Sequence, residues 1–422
     1  MRKVVVLGAL AGLGFLGIGG CAQILGDFTT TSVKKDASTP DVVDDIPGTP
    51  DVSQDQVVPP PDVGPKCGQI TEQCCSSGPA CNKGACCANT CLDVDNDPKN
   101  CGTCGHDCGG AKCVAGKCLP VEIGLTTDKD ATSLVFDGGH LFFTTINSNN
   151  GSVFDCPVQG CATPPAKVIS GLAFPGDVAV NATTVFAPDF NNNKLHSINR
   201  NNLNDTSVQW SSPYALDIDG PSLYVTSISV PLQVKLDFTS QLPLNDGSSE
   251  GAQDIATDTN QNVFWSRVSP NQIRYGRTGV QNGAGLFWDS GGLATATVAA
   301  SKQYVAWSET DTNTGKSNVR SCPAAPSACA QAQTLDSGRF LGYRTGNIIV
   351  AGPDVYWTAR DPFSKQVEVY RAPGAGGSPK LVAVYVTNGI AAPGGVARPQ
   401  GNFVYFLAGD NLGTHLIRAE DP

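Results

Sequence analysis

One short strand pattern recurs through most of this 422-residue chain and limits the folds open to it. The pattern is an aliphatic residue, two mostly aromatic residues and then Thr or Ser, as in Val355-Tyr356-Trp357-Thr358. A period of about 40 to 50 residues is typical of propellers and solenoids. Seven copies follow one another at about this spacing, and they begin at Leu141, Val185, Leu223, Val263, Val305, Val355 and Val404.

Each copy belongs to a set of β-type runs. An apolar run such as Leu216-Asp217-Ile218 precedes the pattern, and turn residues such as Asp219-Gly220-Pro221 separate the two, which predicts a hairpin. A third and a fourth run follow in most repeats, and four antiparallel strands make one propeller blade. The prediction is an all-β fold, a seven-bladed β-propeller over residues 120–422. A six-bladed propeller is the alternative, because the third repeat shows no clear fourth strand around residues 242–250.

The two ends of the repeat region complement each other. The last repeat stops at Leu416-Ile417-Arg418 without a fourth strand, and a spare run, Val121-Glu122-Ile123-Gly124-Leu125, precedes the first repeat. We expect this run to complete the last blade, because closing the ring removes open sheet edges.

The N-terminal segment has the features of an export signal. Two basic residues open the chain, and the apolar run that follows is shorter than the ~18–20 residues a membrane span needs. Ile18-Gly19-Gly20-Cys21 resembles the lipobox of bacterial lipoproteins. The resemblance implies that residues 1–20 are cleaved and that Cys21 is lipidated. Ala22, where inner-membrane lipoproteins carry Asp, implies the outer membrane; an ordinary secretory signal is the alternative.

Residues 21–66 are predicted to be a disordered tether rich in Pro and Asp. Aromatic residues are nearly absent, so the segment cannot bury enough apolar surface to fold. Stretched out, it could hold the next domain on the order of 100 Å from the membrane.

Cysteines dominate the following stretch, residues 67–119. Besides Cys21 the chain has sixteen cysteines, and in an exported protein such density predicts a disulfide framework. Cys156 with Cys161 and Cys322 with Cys329 are the expected pairs in the propeller, because each pair ends a third strand across a short gap. The sequence leaves open the connectivity of the other twelve: Cys67, Cys74, Cys75, Cys81, Cys86, Cys87, Cys91, Cys101, Cys104, Cys108, Cys113 and Cys118.

Other roles for this stretch are less consistent with its sequence. Cys101-Gly102-Thr103-Cys104 has redox spacing but no βαβ pattern around it. A zinc site that includes His106 competes with disulfides favoured by an oxidising compartment. Residues 93–97 begin like a calcium loop, but Pro98 stands where an EF-hand needs Gly. The cysteine and glycine spacing resembles stigma-specific-type repeats, which also occur in predicted myxobacterial lipoproteins and imply a secreted module without enzymatic activity.

The repeated strand resembles those of YWTD and NHL-type propellers. YWTD propellers carry Asp directly after the Thr, and only Asp189 keeps that residue here. The receptor function of that family is therefore not implied, and the aromatic residues of the strands are expected to form the core between blades.

No catalytic residue can be assigned from the sequence. Neither a metalloprotease histidine motif nor a nucleophile elbow occurs, and His140 and His196 are expected at the surface. Gluconolactonase-type hydrolases are also propellers and hold a divalent metal in the central channel. On that likeness Asp177, Asp217 and Asp254 are candidate ligands for calcium; alternatively, they accept hydrogen bonds from backbone amides at turns and strand ends.

The net charge of −10 argues against binding to nucleic acid. The sequence therefore favours a non-catalytic, lipid-anchored protein of the cell envelope, on the periplasmic side or the surface, that binds a protein or glycan partner and has no cofactor. The alternatives are a calcium-dependent hydrolase or lactonase and a purely structural envelope protein.

Overall fold

The structure is a computed structural model. It describes residues 67–421 except 77–79, 148–149, 228–229, 245–250, 268, 282, 326, 342–345, 361–364 and 399–400. The predicted signal, Cys21 and the tether lie outside the described residues. All regular elements in the described part are β-strands, and it contains no helix that is long and apolar enough to cross a membrane.

The strands form seven four-stranded antiparallel sheets, so the protein is a seven-bladed β-propeller. Four short strands precede the ring: β1 Ala85–Cys87, β2 Thr90–Leu92, β3 Cys113–Val114 and β4 Lys117–Cys118. Blade one comprises β6 Ala131–Asp137, β7 His140–Thr145, β8 Gly151–Pro157 and β9 Ala166–Leu172. Blade two comprises β10 Ala179–Val180, β11 Thr184–Asp189, β12 Lys194–Asn199 and β13 Asp205–Gln209. Blade three comprises β14 Pro213–Asp219, β15 Ser222–Ser227, β16 Leu232–Lys235 and β17 Gln241–Pro243.

The remaining four blades complete the ring. Blade four comprises β18 Ala252–Thr257, β19 Asn262–Arg267, β20 Gln272–Arg277 and β21 Gly285–Asp289. Blade five comprises β22 Ala294–Ala300, β23 Tyr304–Thr310, β24 Ser317–Pro323 and β25 Gln333–Arg339. Blades six and seven comprise β26 Ile348–Ala351, β27 Asp354–Arg360, β28 Gln366–Pro373 and β29 Lys380–Val386; β30 Ala392–Ala397, β31 Phe403–Gly409, β32 Thr414–Glu420 and, from the N-terminal side, β5 Val121–Thr126.

The ring closes as the sequence predicts. Strand β5 pairs antiparallel with β32, and Gly124 lies opposite Leu416. Blade three does have a fourth strand, which excludes the six-bladed alternative. That strand has only three residues, opposite Leu232, Gln233 and Val234 of β16, and it is therefore too short to give an alternating sequence pattern.

The Thr or Ser of the repeated pattern stabilises an irregularity in the first strand of the blade. The first strands of blades one, three, four, five and seven each contain a register shift. In blade four, Ser266 Oγ accepts the Asp254 backbone N–H (3.0 Å) and donates to Ala296 O of the next blade (3.2 Å). The same acceptor role recurs in three further blades: Thr144 accepts from Ser133 N, Thr226 from Ala215 N and Ser308 from Thr297 N.

The aromatic residues of the pattern form the core between blades. Trp265, Trp307, Trp357 and Tyr356 are among the largest fully buried side chains. Each ring packs against strands of a neighbouring blade, and burial of one such side chain stabilises the fold by ~1.5–3 kcal/mol. This arrangement agrees with the core role expected from the sequence.

Six disulfides organise the N-terminal module, residues 67–119. Cys101, Cys108 and Cys113 are buried and surround Ala111, so the bridges replace the apolar core that so few residues cannot build. In the propeller, Cys156 forms a disulfide with Cys161, and Cys322 forms one with Cys329. The module pairs are Cys67–Cys75, Cys74–Cys86, Cys81–Cys91, Cys87–Cys104, Cys101–Cys113 and Cys108–Cys118.

The module contacts the last blade through β32. Arg418 donates to the backbone oxygen of Gly109, and His106 Nε2 bonds to Glu420. The other ring nitrogen, Nδ1, lies 2.5 Å from Cys101 O. Because both nitrogens face oxygen acceptors, the geometry favours the doubly protonated imidazolium. The bond to Glu420 raises the pKa of His106 above its ordinary value.

A Ser266→Ala variant tests the role assigned to the repeated hydroxyl. The substitution leaves the buried Asp254 N–H without its acceptor, and we expect the free energy of unfolding to fall by about 1–3 kcal/mol. Chemical denaturation of the oxidised protein measures this change. Ser240→Ala, in an exposed turn, is the matched control and should be neutral; equal losses in both variants would contradict the assignment.

Candidate functional site

The first strands of the blades surround a central channel with a volume of about 240 Å³. Its lining is mainly aliphatic, with Val178, Ile255 and Val298 among the side chains. All three candidate metal ligands, Asp177, Asp217 and Asp254, also line it. The channel is therefore the place where the predicted acidic residues could act together.

Each of these carboxylates joins its own blade to the next one. Asp254 Oδ1 accepts the N–H of the following residue, Ile255 (2.9 Å), and Oδ2 accepts the N–H of Val298 in blade five (2.9 Å). The other two repeat this arrangement: Asp177 accepts from Val178 N (2.8 Å) and Leu216 N (3.0 Å), and Asp217 accepts from Ile218 N (2.8 Å) and from Thr257 N and Oγ1 (2.6 and 2.8 Å). We call these three contacts the carboxylate clasps.

Burial raises the pKa of these carboxyl groups. Desolvation is the largest cause, and it raises the pKa of Asp177 and Asp217 to about 6 and that of Asp254 well above 3.8. Mutual repulsion adds to the effect at Asp217 and Asp254, whereas the amide hydrogen bonds oppose it.

The three carboxylates do not come together as a metal-ligand set. Asp177 and Asp254 occupy equivalent positions in blades two and four, where Ala215 stands in blade three, and Asp217 lies two residues further along its strand. Among the described residues, the groups of three side chains whose ligand atoms lie within 4.8 Å of one another are different ones. They are Cys74, Cys81 and Cys91; Cys101, Cys108 and Cys118; and His106, Cys118 and Glu420, in which every cysteine is in a disulfide.

Two histidines link the strands of a blade. His196 was expected at the surface, but it is buried between Asp205 on the fourth strand (2.8 Å from Nδ1) and Asp189 at the end of the second (3.6 Å from Nε2). Asp205 and Asp189 take the place of water around the imidazole ring of His196. The amphipathic pattern of the strand therefore suggests an exposed side chain although His196 is buried.

His415 repeats this arrangement in blade seven. Glu122 of the closing strand lies 2.5 Å from Nδ1, and Asp410 lies 3.1 Å from Nε2. An imidazole placed between two carboxylates cross-links the strands of its blade. His140, by contrast, is partly exposed, and its Nδ1 lies 2.7 Å from Asp155 on the neighbouring strand.

A cluster of three aromatic rings lies on the face that carries the links between blades. We call this face the upper face. Phe174 belongs to the link between blades one and two, Phe190 follows the second strand of blade two, and Tyr214 begins the first strand of blade three. Their ring centroids lie 5.9–6.2 Å apart, and all three side chains are half-buried. Sequence reasoning missed this cluster because its residues lie outside the repeated pattern.

Comparison with known proteins identifies the fold and no family. No family model and no curated protein matches the chain. Among solved structures, virginiamycin B lyase from Staphylococcus aureus is 12% identical, with a TM-score of 0.53 over 71% of this chain and 98% of that one. The Neurospora crassa Pan2 WD40 domain is 8% identical (TM-score 0.51, 72% and 96%). The Cps50 (Swd1) propeller of Myceliophteria thermophila is 10% identical (TM-score 0.50, 71% and 99%).

The neighbours agree on one point. The chain is a β-propeller. At these identities the likeness shows the fold alone, since propellers support many unrelated functions.

The raised pKa values predict that the clasps contribute more to the stability of the fold at acidic pH than at neutral pH. A carboxyl group with a pKa of 3.8 unfolded and about 6 folded favours the folded state fully below pH 3.8. That stabilisation, on the order of 3 kcal/mol per group, is lost as the pH rises to about 6. Denaturation of Asp217→Asn between pH 4 and 7 should show a smaller loss than the wild type.

Asp289→Asn, on the outer strand of blade four, is the control for that series because its side chain is exposed. It should lose as much stability over this pH range as the wild type. An unchanged pH slope for Asp217→Asn would show that this carboxylate does not titrate as its burial implies.

Proposed function

We propose that the protein is a lipid-anchored, non-catalytic protein of the bacterial cell envelope whose propeller binds a protein or glycan partner. The carboxylate clasps are the observation that carries this proposal. Both oxygens of each channel carboxylate accept backbone N–H groups, so these carboxylates hold neighbouring blades together. These hydrogen bonds lower the basicity of the carboxylates and fix their orientation toward the backbone, which argues against their use as a general base or a metal ligand.

The disulfides support an oxidising environment. Eight bridges stabilise the described part of the chain, and such bonds persist outside the reducing cytosol. The lipobox-like Ile18-Gly19-Gly20-Cys21 accounts for attachment, and Ala22 accounts for transfer to the outer membrane. In this proposal the tether of residues 21–66 lets the propeller reach a partner away from the lipid surface.

A metal-dependent hydrolase is the second candidate function. Three buried carboxylates with raised pKa values line one channel, a feature that active sites share with structural charge networks. One protein of similar fold is a lyase, but that likeness concerns the fold alone. The clasps favour binding over catalysis because they commit each carboxylate to backbone donors of two blades.

The response to calcium separates these two candidates. We expect the melting temperature of the oxidised protein to be the same in EDTA and after calcium is restored, because amide donors already satisfy the channel carboxylates. A ligand that binds only the folded state raises the melting temperature, so differential scanning calorimetry gives the answer. A calcium-dependent rise that disappears in Asp177→Asn would support the hydrolase instead.

Removal of the acylation site tests the envelope address. Cys21→Ser should abolish the incorporation of labelled palmitate into the full-length protein, because one thiol carries the lipid. Ala22→Asp should retain the protein at the inner membrane, whereas Ala22→Ser, the matched control, should leave it at the outer membrane. Palmitate incorporation into Cys21→Ser would contradict the lipid anchor. A membrane-impermeant label on whole cells separates surface from periplasm.

A further inference from the structure

The aromatic cluster on the upper face is the most developed feature that the fold itself does not require. Its rings are mutually packed: Phe190 meets Tyr214 edge-on (82°, 5.9 Å), and Phe174 is stacked with Tyr214 (25°, 6.2 Å). Neither Phe174 nor Phe190 belongs to a buried core cluster of the described residues. Tyr214 packs partly against the core between blades three and four, and the three rings together form a partly exposed apolar surface.

The side chain of Phe174 is unusual for its place in the link. Its φ of 69° is a left-handed conformation that Asp130 (59°) and Ser212 (46°) also adopt at the equivalent place before blades one and three, where smaller polar residues stand. Two residues on, Gly176 leaves room for the cluster, since a Cβ there would lie 2.5 Å from Tyr214 O and 3.1 Å from its ring. The link between blades one and two thus holds an aromatic ring where glycine would be easier to accommodate.

Polar groups border the rings without presenting free charge. Asp189, at the end of the strand before Phe190, accepts the Ala173 N–H at Oδ1 (2.8 Å) and the Asn192 amide at Oδ2 (2.9 Å). Asn193 Oδ1 accepts both the N–H and the hydroxyl of Ser212, which fixes the orientation of its amide. Asn191, Asn192 and Asn193 are exposed, so the rim of the cluster consists of amides.

This chemistry selects a class of ligand. The neighbouring carboxylates Asp177 and Asp189 are bonded and mostly buried, which disfavours a cation, and the net charge of −10 disfavours an anion. The faces of aromatic rings carry negative charge density and attract the C–H groups on one side of a sugar ring. Amides at the rim can exchange hydrogen bonds with the sugar's hydroxyl groups.

We propose that Phe174, Phe190 and Tyr214 form a binding site for a neutral glycan, with the sugar rings stacked on the aromatic surface and the asparagine turn contacting their hydroxyl groups. This inference rests on the proposed binding function and assigns it a site and a ligand class. A proline-rich peptide could also lie against aromatic rings, but a peptide groove would not need a rim built from amides.

The test uses the full-length chain, purified in a detergent without sugar groups, and three probes: chitopentaose, cellopentaose and maltopentaose. Isothermal titration should show saturable binding of at least one probe. Phe190→Ala and Tyr214→Ala should each weaken that binding tenfold or more, and Tyr214→Phe, which keeps the ring, should retain it. Phe136→Ala is the control, because this ring is 37% exposed and lies near the first turn of blade one on the opposite face.

Phe174→Gly separates a binding role from a structural one. Glycine adopts the left-handed conformation without strain, so the melting temperature should stay the same or rise while binding falls tenfold or more. A lower melting temperature with unchanged binding would show that the ring is structural and would overturn the proposal.

Two further results would also overturn it. One is the absence of saturable binding for all three probes, and the other is binding that survives both Phe190→Ala and Tyr214→Ala. If a decaproline peptide binds to these rings and the sugars do not, the ligand class is wrong. The wider function would still stand if cross-linking on cells captures a partner protein equally well with Phe190→Ala and the wild type.

Discussion

The pairing of β5 with β32 is the contact on which the ring depends. Without it, blade seven would expose the edge of β32, and blade one would lose the neighbour that covers Leu134 and Phe143. The disulfide-rich module ends at Cys118, just before β5 begins at Val121. Its contacts through His106 and Arg418 reach β32 itself. The module therefore stabilises the closing strand from outside the sheet. Its disulfides keep the module itself rigid without a large core.

Blades meet in two different ways around the channel. Between blades two and five, buried carboxylates bridge the first strands through backbone amides. Between blades seven and one, Gly394 and Gly395 let the backbones approach directly, and a Cβ at Gly395 would lie 2.5 Å from Leu134 N. The clasps place unneutralised charge in the interior at neutral pH, whereas the glycine contact joins its blades without any charge. The glycine contact between blades seven and one thus does not depend on protonation.

The sequence predicts the periodic part of this molecule well, because the period reflects backbone geometry. Aromatic residues recur where blades must pack, and a hydroxyl recurs where the first strand is irregular, as at Ser266. Features that occur once are not predictable in this way. The three-residue strand Gln241–Pro243 leaves no alternation, and the six module disulfides depend on three-dimensional turns. Asp217 offers a carboxylate, as metal ligands do. Its hydrogen bond from the Thr257 N–H joins two blades and cannot be recognised from the sequence alone.

The same division explains why the aromatic cluster escapes sequence reasoning and why it can differ from the rest of the ring. Hydroxyl and carboxylate contacts fix the first strands from inside, so the links and turns of the upper face are free of that task. Phe174 and Phe190 lie in such segments and meet Tyr214 only because blades two and three are adjacent. The left-handed backbone at Phe174 is part of the fold, because Asp130 and Ser212 adopt it at the same place in the segments that lead into blades one and three. What the fold does not require at this place is an aromatic side chain, because Asp130 and Ser212 occupy the equivalent positions, and this is the physical reason to assign the cluster a ligand.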